Sequence, residues 1–229
     1  MVTPTVSFSP GSQSTYTKSA PVTVTISDSE SGLKADQSGN SRNGTIVGAT
    51  RSVNSLYFDG SNDYVRIAQL NYQNVTLESS FRFKSLPSSE AHIISNVENG
   101  GYNLAKAGST SGSKIYGAAY KGSEYKYAYS MVPSAGPTYY GATTANSEYV
   151  KSAVYAATDK RTASVDSSIA ITNTTKSTYM VLGANPLGSG VESTGFFNGW
   201  MYTARMYSSV FSDDQLQKHY VIDRARFGY

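Results

Sequence analysis

One stretch near the end of the chain decides its fold: Phe196-Phe197-Asn198-Gly199-Trp200-Met201-Tyr202-Thr203-Ala204-Arg205-Met206-Tyr207-Ser208-Ser209-Val210-Phe211-Ser212-Asp213-Asp214-Gln215-Leu216. Its first half is rich in aromatic and apolar residues and predicts a late β-strand that opens on Gly199. Its second half predicts one short helix from Asp213 to His219, because Ser212 can cap the helix and two aspartates follow in its first turn. These are the closing elements of a β-rich domain.

Further upstream, strand patterns dominate. Residues 75–83 alternate, so Val75, Leu77, Phe81 and Phe83 share one face, which we expect in the core. The other face carries Thr76, Glu78, Ser80 and Arg82, and we expect it to face solvent with Glu78 and Arg82 as a surface ion pair. Many such short strands at near-regular spacing indicate an antiparallel sandwich or jelly roll.

Composition excludes several classes of function. The 229 residues hold no cysteine, so disulfides, thiolate metal sites and cysteine nucleophiles are excluded. The net charge of +3 is thinly spread, whereas nucleic-acid binding needs a concentrated basic stripe. No apolar run approaches the roughly 20 residues that span a bilayer, so we predict no membrane insertion. The chain also begins without a signal peptide, and we interpret it as a segment of a longer protein.

The chain divides into a short N-terminal piece and one main domain. Residues 1–33 hold two extended pieces, at 5–8 and 22–26, and resemble the opening strands of bacterial immunoglobulin-like modules. This is too little chain for a sandwich of its own, so we interpret it as a linker or a strand annex. Residues 34–229 then form the main domain.

Three stretches of the main domain, in order, resemble bacterial laminin-G-like domains of the concanavalin A-like lectin/glucanase superfamily. They are Asp36-Gln37-Ser38-Gly39-Asn40 followed by Asn43-Gly44-Thr45, then Leu56-Tyr57-Phe58-Asp59-Gly60-Ser61-Asn62-Asp63-Tyr64-Val65, and the closing stretch quoted above. The resemblance implies an all-β, two-sheet antiparallel jelly-roll sandwich with one short C-terminal helix. It also implies an extracellular, cell-surface or virion location, but the fold hosts lectins, adhesins and structural modules alike.

A structural calcium ion is possible but not favoured, and no other cofactor is expected. Where the family often has an acidic pair, this chain has Tyr202 and Thr203. The oxygen-ligand candidates for a hard cation are Asp36, Asp59 and Asp63. The alternative for Asp59 and Asp63 is that they cap turns by accepting hydrogen bonds from nearby backbone amides.

We expect no enzymatic activity. Glycoside hydrolysis needs two carboxylates facing each other across a cleft, and no strand of this chain carries acidic residues at alternating positions. The two histidines, His92 and His219, lie in different elements, and we interpret His92 as an ordinary strand residue. A degenerate glycoside hydrolase is therefore the least favoured alternative.

Tyrosine is the most informative residue type for function. Nine tyrosines fall within residues 116–155, and Tyr125, Tyr127 and Tyr129 share one strand face. Rings of this kind can stack on sugar faces, although tyrosine is also favoured in sheet cores and cross-strand ladders. Trp200 is the other candidate for ligand contact.

The sequence therefore predicts a non-catalytic recognition or adhesion module for a glycan or cell-surface polysaccharide, belonging to a larger surface, secreted or phage structural protein. The alternative is a structural spacer or a protein-binding module without glycan activity. The oligomeric state is left open.

Overall fold

The computed structural model describes residues 22–25, 33–34, 42–157, 159–173, 179–186 and 194–229. Within these residues the chain forms sixteen strands, a 3₁₀ turn at Ser109–Ser111 and one α-helix, α1 (Asp213–Phe227). The strands are β1 (Val22–Thr25), β2 (Leu33–Lys34), β3 (Gly44–Val47), β4 (Thr50–Ser52), β5 (Ser55–Asp59), β6 (Tyr64–Ala68), β7 (Val75–Phe83), β8 (Ala91–Ser95), β9 (Tyr102–Lys106), β10 (Ile115–Lys121), β11 (Glu124–Tyr129), β12 (Thr138–Ala145), β13 (Tyr149–Tyr155), β14 (Lys160–Asp166), β15 (Tyr179–Leu182) and β16 (Asn198–Tyr207).

The strands form two antiparallel sheets of eight strands each, which confirms the predicted sandwich. Sheet I has the order β14-β13-β12-β7-β16-β5-β4, and sheet II has the order β11-β10-β9-β8-β15-β6-β3-β2. In sheet I, β16 pairs with β7 on one side, and with β5 and then β1 on the other. The first half of the closing stretch of the chain is therefore a central strand of sheet I, β16.

The core lies between the two sheets and is built on aromatic residues. Phe58, Phe81, Phe83 and Phe197 are fully buried there. Phe197 contacts three of these rings, at centroid distances of 5.8 Å to Phe58, 6.1 Å to Phe81 and 5.1 Å to Phe83. This arrangement confirms the predicted core face of β7.

The opposite face of β7 was predicted to face solvent. Arg82 does, but Thr76, Glu78 and Ser80 are buried, because α1 packs across this part of the strand. Glu78 is 0% exposed and lies 2.9 Å from Nδ1 of His219 and 3.7 Å from Nη1 of Arg205. Its partners are therefore these two side chains, and the expected surface pair with Arg82 is wrong. Asp223 of α1 is equally buried and accepts hydrogen bonds from Arg205 and from Ser80 Oγ at 2.6 Å.

Helix α1 is 15 residues long, about twice the predicted length. Ser212 and Gln215 form the capping box that fixes its start, and Gly228 ends it in the left-handed conformation with φ 73°. The prediction ended the helix at His219. The helix continues because Tyr220 and Asp223 are buried against sheet I, and such tertiary contacts outweigh the weak local propensity that follows. Among the described residues, no helix is both long and apolar enough to cross a bilayer.

Under α1 lies Tyr155, whose buried phenol makes an alkaline prediction possible. Its ring stacks on Tyr220 at a centroid distance of 5.1 Å, and its hydroxyl has no hydrogen-bond partner among the described residues. Burial raises the pKa of Tyr155 from 10.0 to about 12, so the neutral phenol is the favoured form in the folded state. The preference of the folded state for the neutral phenol adds to stability in full below pH 10, and this contribution is lost as pH rises to about 12.

Tyr155→Phe should leave the free energy of unfolding at pH 7 nearly unchanged, since the hydroxyl makes no bond there. By pH 11 the parent should lose about 1.4 kcal/mol of stability through ionisation of this phenol in the unfolded state, and the same variant should remove that loss. Urea unfolding at pH 7 and pH 11 measures both effects. An equal alkaline loss in parent and variant would contradict this account.

Candidate functional site

Tyr125, Tyr127 and Tyr129 form a row on the outer face of sheet II, here called the tyrosine platform. They lie on the edge strand β11, where the inward-facing neighbour Ala128 is buried in the core. The rings of Tyr127 and Tyr129 stack at 5.8 Å with an interplanar angle of 14°. They are 40% and 37% exposed, so the predicted shared face exists and offers ring surface to solvent.

The neighbouring strand β10 and the loop that contains Gly100 hold the platform in place. Tyr116 of β10 is buried beneath it, with centroid distances of 5.6 Å to Tyr127 and 5.5 Å to Tyr129. Tyr125 contacts Tyr120 at 4.7 Å and donates a hydrogen bond from its hydroxyl to the Gly100 carbonyl at 3.2 Å. Burial raises the pKa of Tyr125 to about 12. The contacts with Tyr116, Tyr120 and Gly100 therefore hold the platform rings in place.

Other tyrosines of the same stretch serve packing instead. Tyr139 is buried in the core between the sheets, and Tyr140 and Tyr155 are buried beneath α1. The alternative of a sheet core is thus correct for these three residues and not for the platform.

Two clefts flank the platform and meet at Glu90, Tyr116 and Tyr127. The first, of about 210 Å³, lies towards the residue 97–100 loop, and the second, of about 420 Å³, towards the 3₁₀ turn. Besides the three shared residues, the first is lined by His92, Val97, Glu98, Asn99, Asn103, Ala118, Tyr125 and Asn185. The second is lined by Ser88, Ser89, Ala107, Gly108, Ser109, Thr110, Ser111 and Tyr129.

A chain of hydrogen bonds leads to the Glu90 carboxylate at the junction of the clefts. The backbone N–H of Ala118 donates to Asn103 Oδ1 at 3.1 Å, which orients the amide. Asn103 Nδ2 then donates to the Tyr116 hydroxyl at 3.1 Å and faces His92 Nδ1 at 3.5 Å. The other ring nitrogen of His92, Nε2, lies 3.3 Å from Glu90 Oε2.

Tyr116 donates its hydroxyl hydrogen to the other oxygen of Glu90. Burial acts to raise the pKa of Glu90, but the hydrogen bond from His92 and the attraction of His92 and Lys106 outweigh it. The pKa of Glu90 therefore lies below its ordinary value, and the carboxylate is ionised and held in one orientation at neutral pH.

Sequence reasoning missed Glu90, Glu98 and Asn103 and treated His92 as an ordinary strand residue. His92 does lie in β8 and is buried, but it also lines the first cleft. One signal was available, because Asn103 interrupts the otherwise apolar run from Tyr102 to Ala105. A buried amide in a strand needs partners and so indicates a polar site.

Trp200 does not join the platform. It lies on the outer face of sheet I, whereas the platform lies on the outer face of sheet II. Its ring is half-buried between Tyr57, at a centroid distance of 5.3 Å, and the Arg82 guanidinium, at 5.1 Å. The bulge in β16 falls between Met201 and Thr203, after Trp200, so it does not turn the ring inward. The two predicted contact regions are thus on opposite sides of the sandwich.

The aspartate candidates for calcium have structural partners in the loop between β5 and β6, which connects sheet I to sheet II. Asp63 Oδ2 accepts from the Asp59 backbone N–H at 2.8 Å, and Asp59 Oδ1 accepts from the Ser61 N–H at 2.8 Å. These bonds are those of the turn-capping alternative, and Asp36 lies outside the described residues. Within the described part of the chain, no group of three or more His, Asp or Glu side chains is placed to hold a metal ion. That calcium binding is not favoured stays a prediction, which melting temperatures with and without added calcium would test.

The fold and the site thus define a two-sheet β-sandwich with an aromatic, polar cleft on one outer face. The sequence matches no protein-family model and no curated protein. Among solved structures, the chain is similar to the receptor-binding domain of botulinum neurotoxin type G, with 11% identity over 89% of this chain and 51% of that chain, at a TM-score of 0.61.

Two further solved structures have the same architecture. One is the binding domain of botulinum neurotoxin DC in complex with rat synaptotagmin II, with 10% identity over 86% of this chain and 50% of that chain, at a TM-score of 0.60. The other is Trypanosoma rangeli sialidase in complex with sialic acid, with 12% identity over 87% of this chain and 32% of that chain, at a TM-score of 0.57. The chain spans about half or less of the structures it matches, and the likeness establishes the shared β-sandwich fold. The laminin-G-like assignment stays a resemblance.

Proposed function

We propose that this chain is a non-catalytic recognition module that binds glycan across the tyrosine platform. The observation that carries the proposal is the exposed, nearly parallel pair of Tyr127 and Tyr129 at the junction of two polar clefts. Flat rings of this type stack on the apolar faces of sugars, while cleft amides and carboxylates exchange hydrogen bonds with the hydroxyls. The extracellular, cell-surface or virion location predicted above fits such a module.

The structural neighbours support recognition as a use of this fold. The botulinum neurotoxin DC binding domain is described in complex with SialylT and, separately, with rat synaptotagmin II. At 10–12% identity these partners do not transfer to this chain, but they place a glycan and a protein partner among the uses of the architecture. A protein-binding module or a structural spacer is therefore the alternative to be tested against the glycan proposal.

Catalysis is disfavoured by the state of Glu90. A hydrolase acting in the first cleft would need a protonated carboxyl there as the general acid, with its pKa raised. The pKa of Glu90 is lowered instead; one of its oxygens accepts a hydrogen bond from Tyr116, and the other lies 3.3 Å from His92 Nε2. The release of reducing sugar from any polysaccharide would revive the hydrolase alternative.

The test is binding to a glycan array, with the protein presented multivalently because shallow single sites bind weakly. Tyr127→Ala and Tyr129→Ala should each weaken binding roughly tenfold, the effect of removing one aromatic contact residue. Circular dichroism and melting temperature should stay close to those of the parent, since both rings are more than a third exposed.

Tyr179→Ala is the matched control. Tyr179 is 37% exposed, as is Tyr129, but it lies on β15, four strands from β11 and so roughly 19 Å away. We expect this variant to bind like the parent. If no glycan binds, or if the three variants behave alike, the platform is not a glycan site. A loss confined to Trp200→Ala would move the site to sheet I.

A further inference from the structure

We infer that the sugar unit seated at Glu90 carries a free amino group, as an unacetylated hexosamine does, and that the clefts reject acidic sugars. This rests on the proposed glycan function and narrows the class of ligand. The argument comes from the charges, the hydrogen-bond geometry and the rings that surround the junction of the two clefts.

Two carboxylates line the clefts. Glu90 and Glu98 both line the first cleft, and Glu90 also lines the second. Among the described residues, no lysine or arginine lines either cleft. Lys106 is close enough to influence Glu90, but its ammonium group is buried and donates to the Pro87 carbonyl at 2.6 Å and the Ser89 carbonyl at 3.1 Å. A bound ligand therefore meets negative charge.

The carboxylate of Glu90 is positioned before a ligand arrives. Tyr116 and His92 each contact a different oxygen, and Asn103 orders both of these side chains. The Glu90 side chain nevertheless remains 45% exposed, so acceptor capacity is left for the cleft. An ammonium group brings three donors and a positive charge to such an acceptor, and the resulting hydrogen bonds are stronger than those of a neutral hydroxyl.

The rings add a second attraction for a cation. Tyr116, Tyr125 and Tyr127 all line the first cleft beside Glu90. The face of an aromatic ring attracts a cation within about 6 Å of its centre and repels an anion. Asn185 also lines this cleft, and its buried Oδ1 has no hydrogen-bond partner among the described residues.

An acidic sugar lacks the attractions that a cation makes with Glu90 and with the rings. Its carboxylate would approach Glu90 and Glu98, and no lysine or arginine lines the cleft among the described residues. This sets the cleft apart from a receptor for sialic acid, the ligand in the Trypanosoma rangeli sialidase structure, even though the folds are alike.

The experiment uses an array on which each backbone appears in three matched forms: neutral hexose, free hexosamine and hexuronic acid, in both the gluco and galacto series. At about pH 6, where the hexosamine is protonated, we expect it to bind roughly tenfold tighter than the matched hexose. The matched hexuronic acid should show no measurable binding. The advantage of the amine should shrink at high salt, as expected for a charge attraction.

Glu90→Gln keeps the shape of the side chain and should remove most of the amine advantage while hexose binding persists. Glu98→Gln is the second variant and should reduce the advantage by less. Tyr127→Ala should weaken both hexosamine and hexose, because it removes stacking surface, and the hexosamine somewhat more, because it also removes a ring that attracts the cation. Melting temperatures within a few degrees of the parent establish that the variants are folded.

The outcomes separate this inference from the glycan proposal. If no sugar of any form binds, the glycan proposal fails and this inference falls with it. If sugars bind but the acid or hexose form binds as tightly as the amine, only the inference is overturned. Equal competition by oligolysine of matched charge would also overturn it, since charge alone would then explain the binding.

Discussion

Arg205→Met should lower the free energy of unfolding by about 3–5 kcal/mol, the typical cost of removing one partner from a buried ion pair. Arg205 lies on β16 between two carboxylates that are 0% exposed, Asp223 of α1 and Glu78 of β7. Its Nη1 donates to Asp223 Oδ2 at 2.9 Å, and the same atom lies 3.7 Å from Glu78 Oε2. Without the guanidinium, both carboxylates stay buried with too little positive charge. Urea denaturation at pH 7 measures the loss.

The same network attaches the helix to sheet I. Asp223 also accepts from Ser80 Oγ at 2.6 Å and from Thr203 Oγ1 at 3.3 Å, so it is the main polar contact between α1 and the sheet. Burial acts to lower the pKa of Arg205, but the hydrogen bond and charge of Asp223 and the charge of Glu78 outweigh it. The pKa of Arg205 therefore lies above its ordinary value. The near-ultraviolet signal of the tyrosines under α1 should therefore weaken in Arg205→Met.

Arg161→Met is the matched control for this prediction. Arg161 pairs with Asp159 at 3.0 Å, but the two side chains are 64% and 46% exposed, so the loss should stay within about 1 kcal/mol. Adding Asp223→Asn to Arg205→Met should recover part of the stability, because it removes one unpaired charge. A loss for Arg205→Met as small as that for Arg161→Met would contradict the assigned role.

The sheet elements could be predicted because their signals are local. The alternation of β7 identifies Phe81 and Phe83 as core residues. The Asp59-Gly60 turn predicts a hairpin between β5 and β6, but this expectation is wrong, because β5 lies in sheet I and β6 in sheet II, so the turn connects the two sheets. What covers a strand face is not a local property. Glu78 meets His219, 141 positions further along the chain, and no pattern within β7 indicates that contact. The outer face of β7 was accordingly expected to be exposed.

The candidate site also has one part that local sequence predicts and one part that it does not. The shared face of Tyr125, Tyr127 and Tyr129 follows from their spacing on one strand. The Glu90 junction needs the pairing of β8, β9 and β10, together with a bulge between His92 and Ile94. Pairing order and bulges are set by tertiary packing, so one sequence without relatives does not reveal them.

Gly199→Ala should cost about 3 kcal/mol, since it forces a side chain into the closely packed pairing of β16 with β7. A β-carbon built on Gly199 would lie 2.0 Å from the Arg82 carbonyl oxygen and 2.9 Å from Phe83 Cα. Both are backbone atoms of a central strand and cannot rotate away as a side chain could. The two strands would have to separate, and the Phe83 and Phe197 rings packed at 5.1 Å lie beside that point.

Gly108→Ala is the control that separates this steric cost from the general effect of replacing glycine. The nearest atom to a β-carbon on Gly108 is the Ser88 carbonyl oxygen at 3.5 Å, an ordinary contact. Its backbone, with φ −62°, is also one that alanine readily adopts, so the change should stay within about 0.5 kcal/mol. Thermal and urea unfolding of both variants tests the pair. Equal stability of Gly199→Ala and Gly108→Ala would mean that β16 and β7 are not packed as closely as described. The central place of β16 in sheet I would then have to be revised.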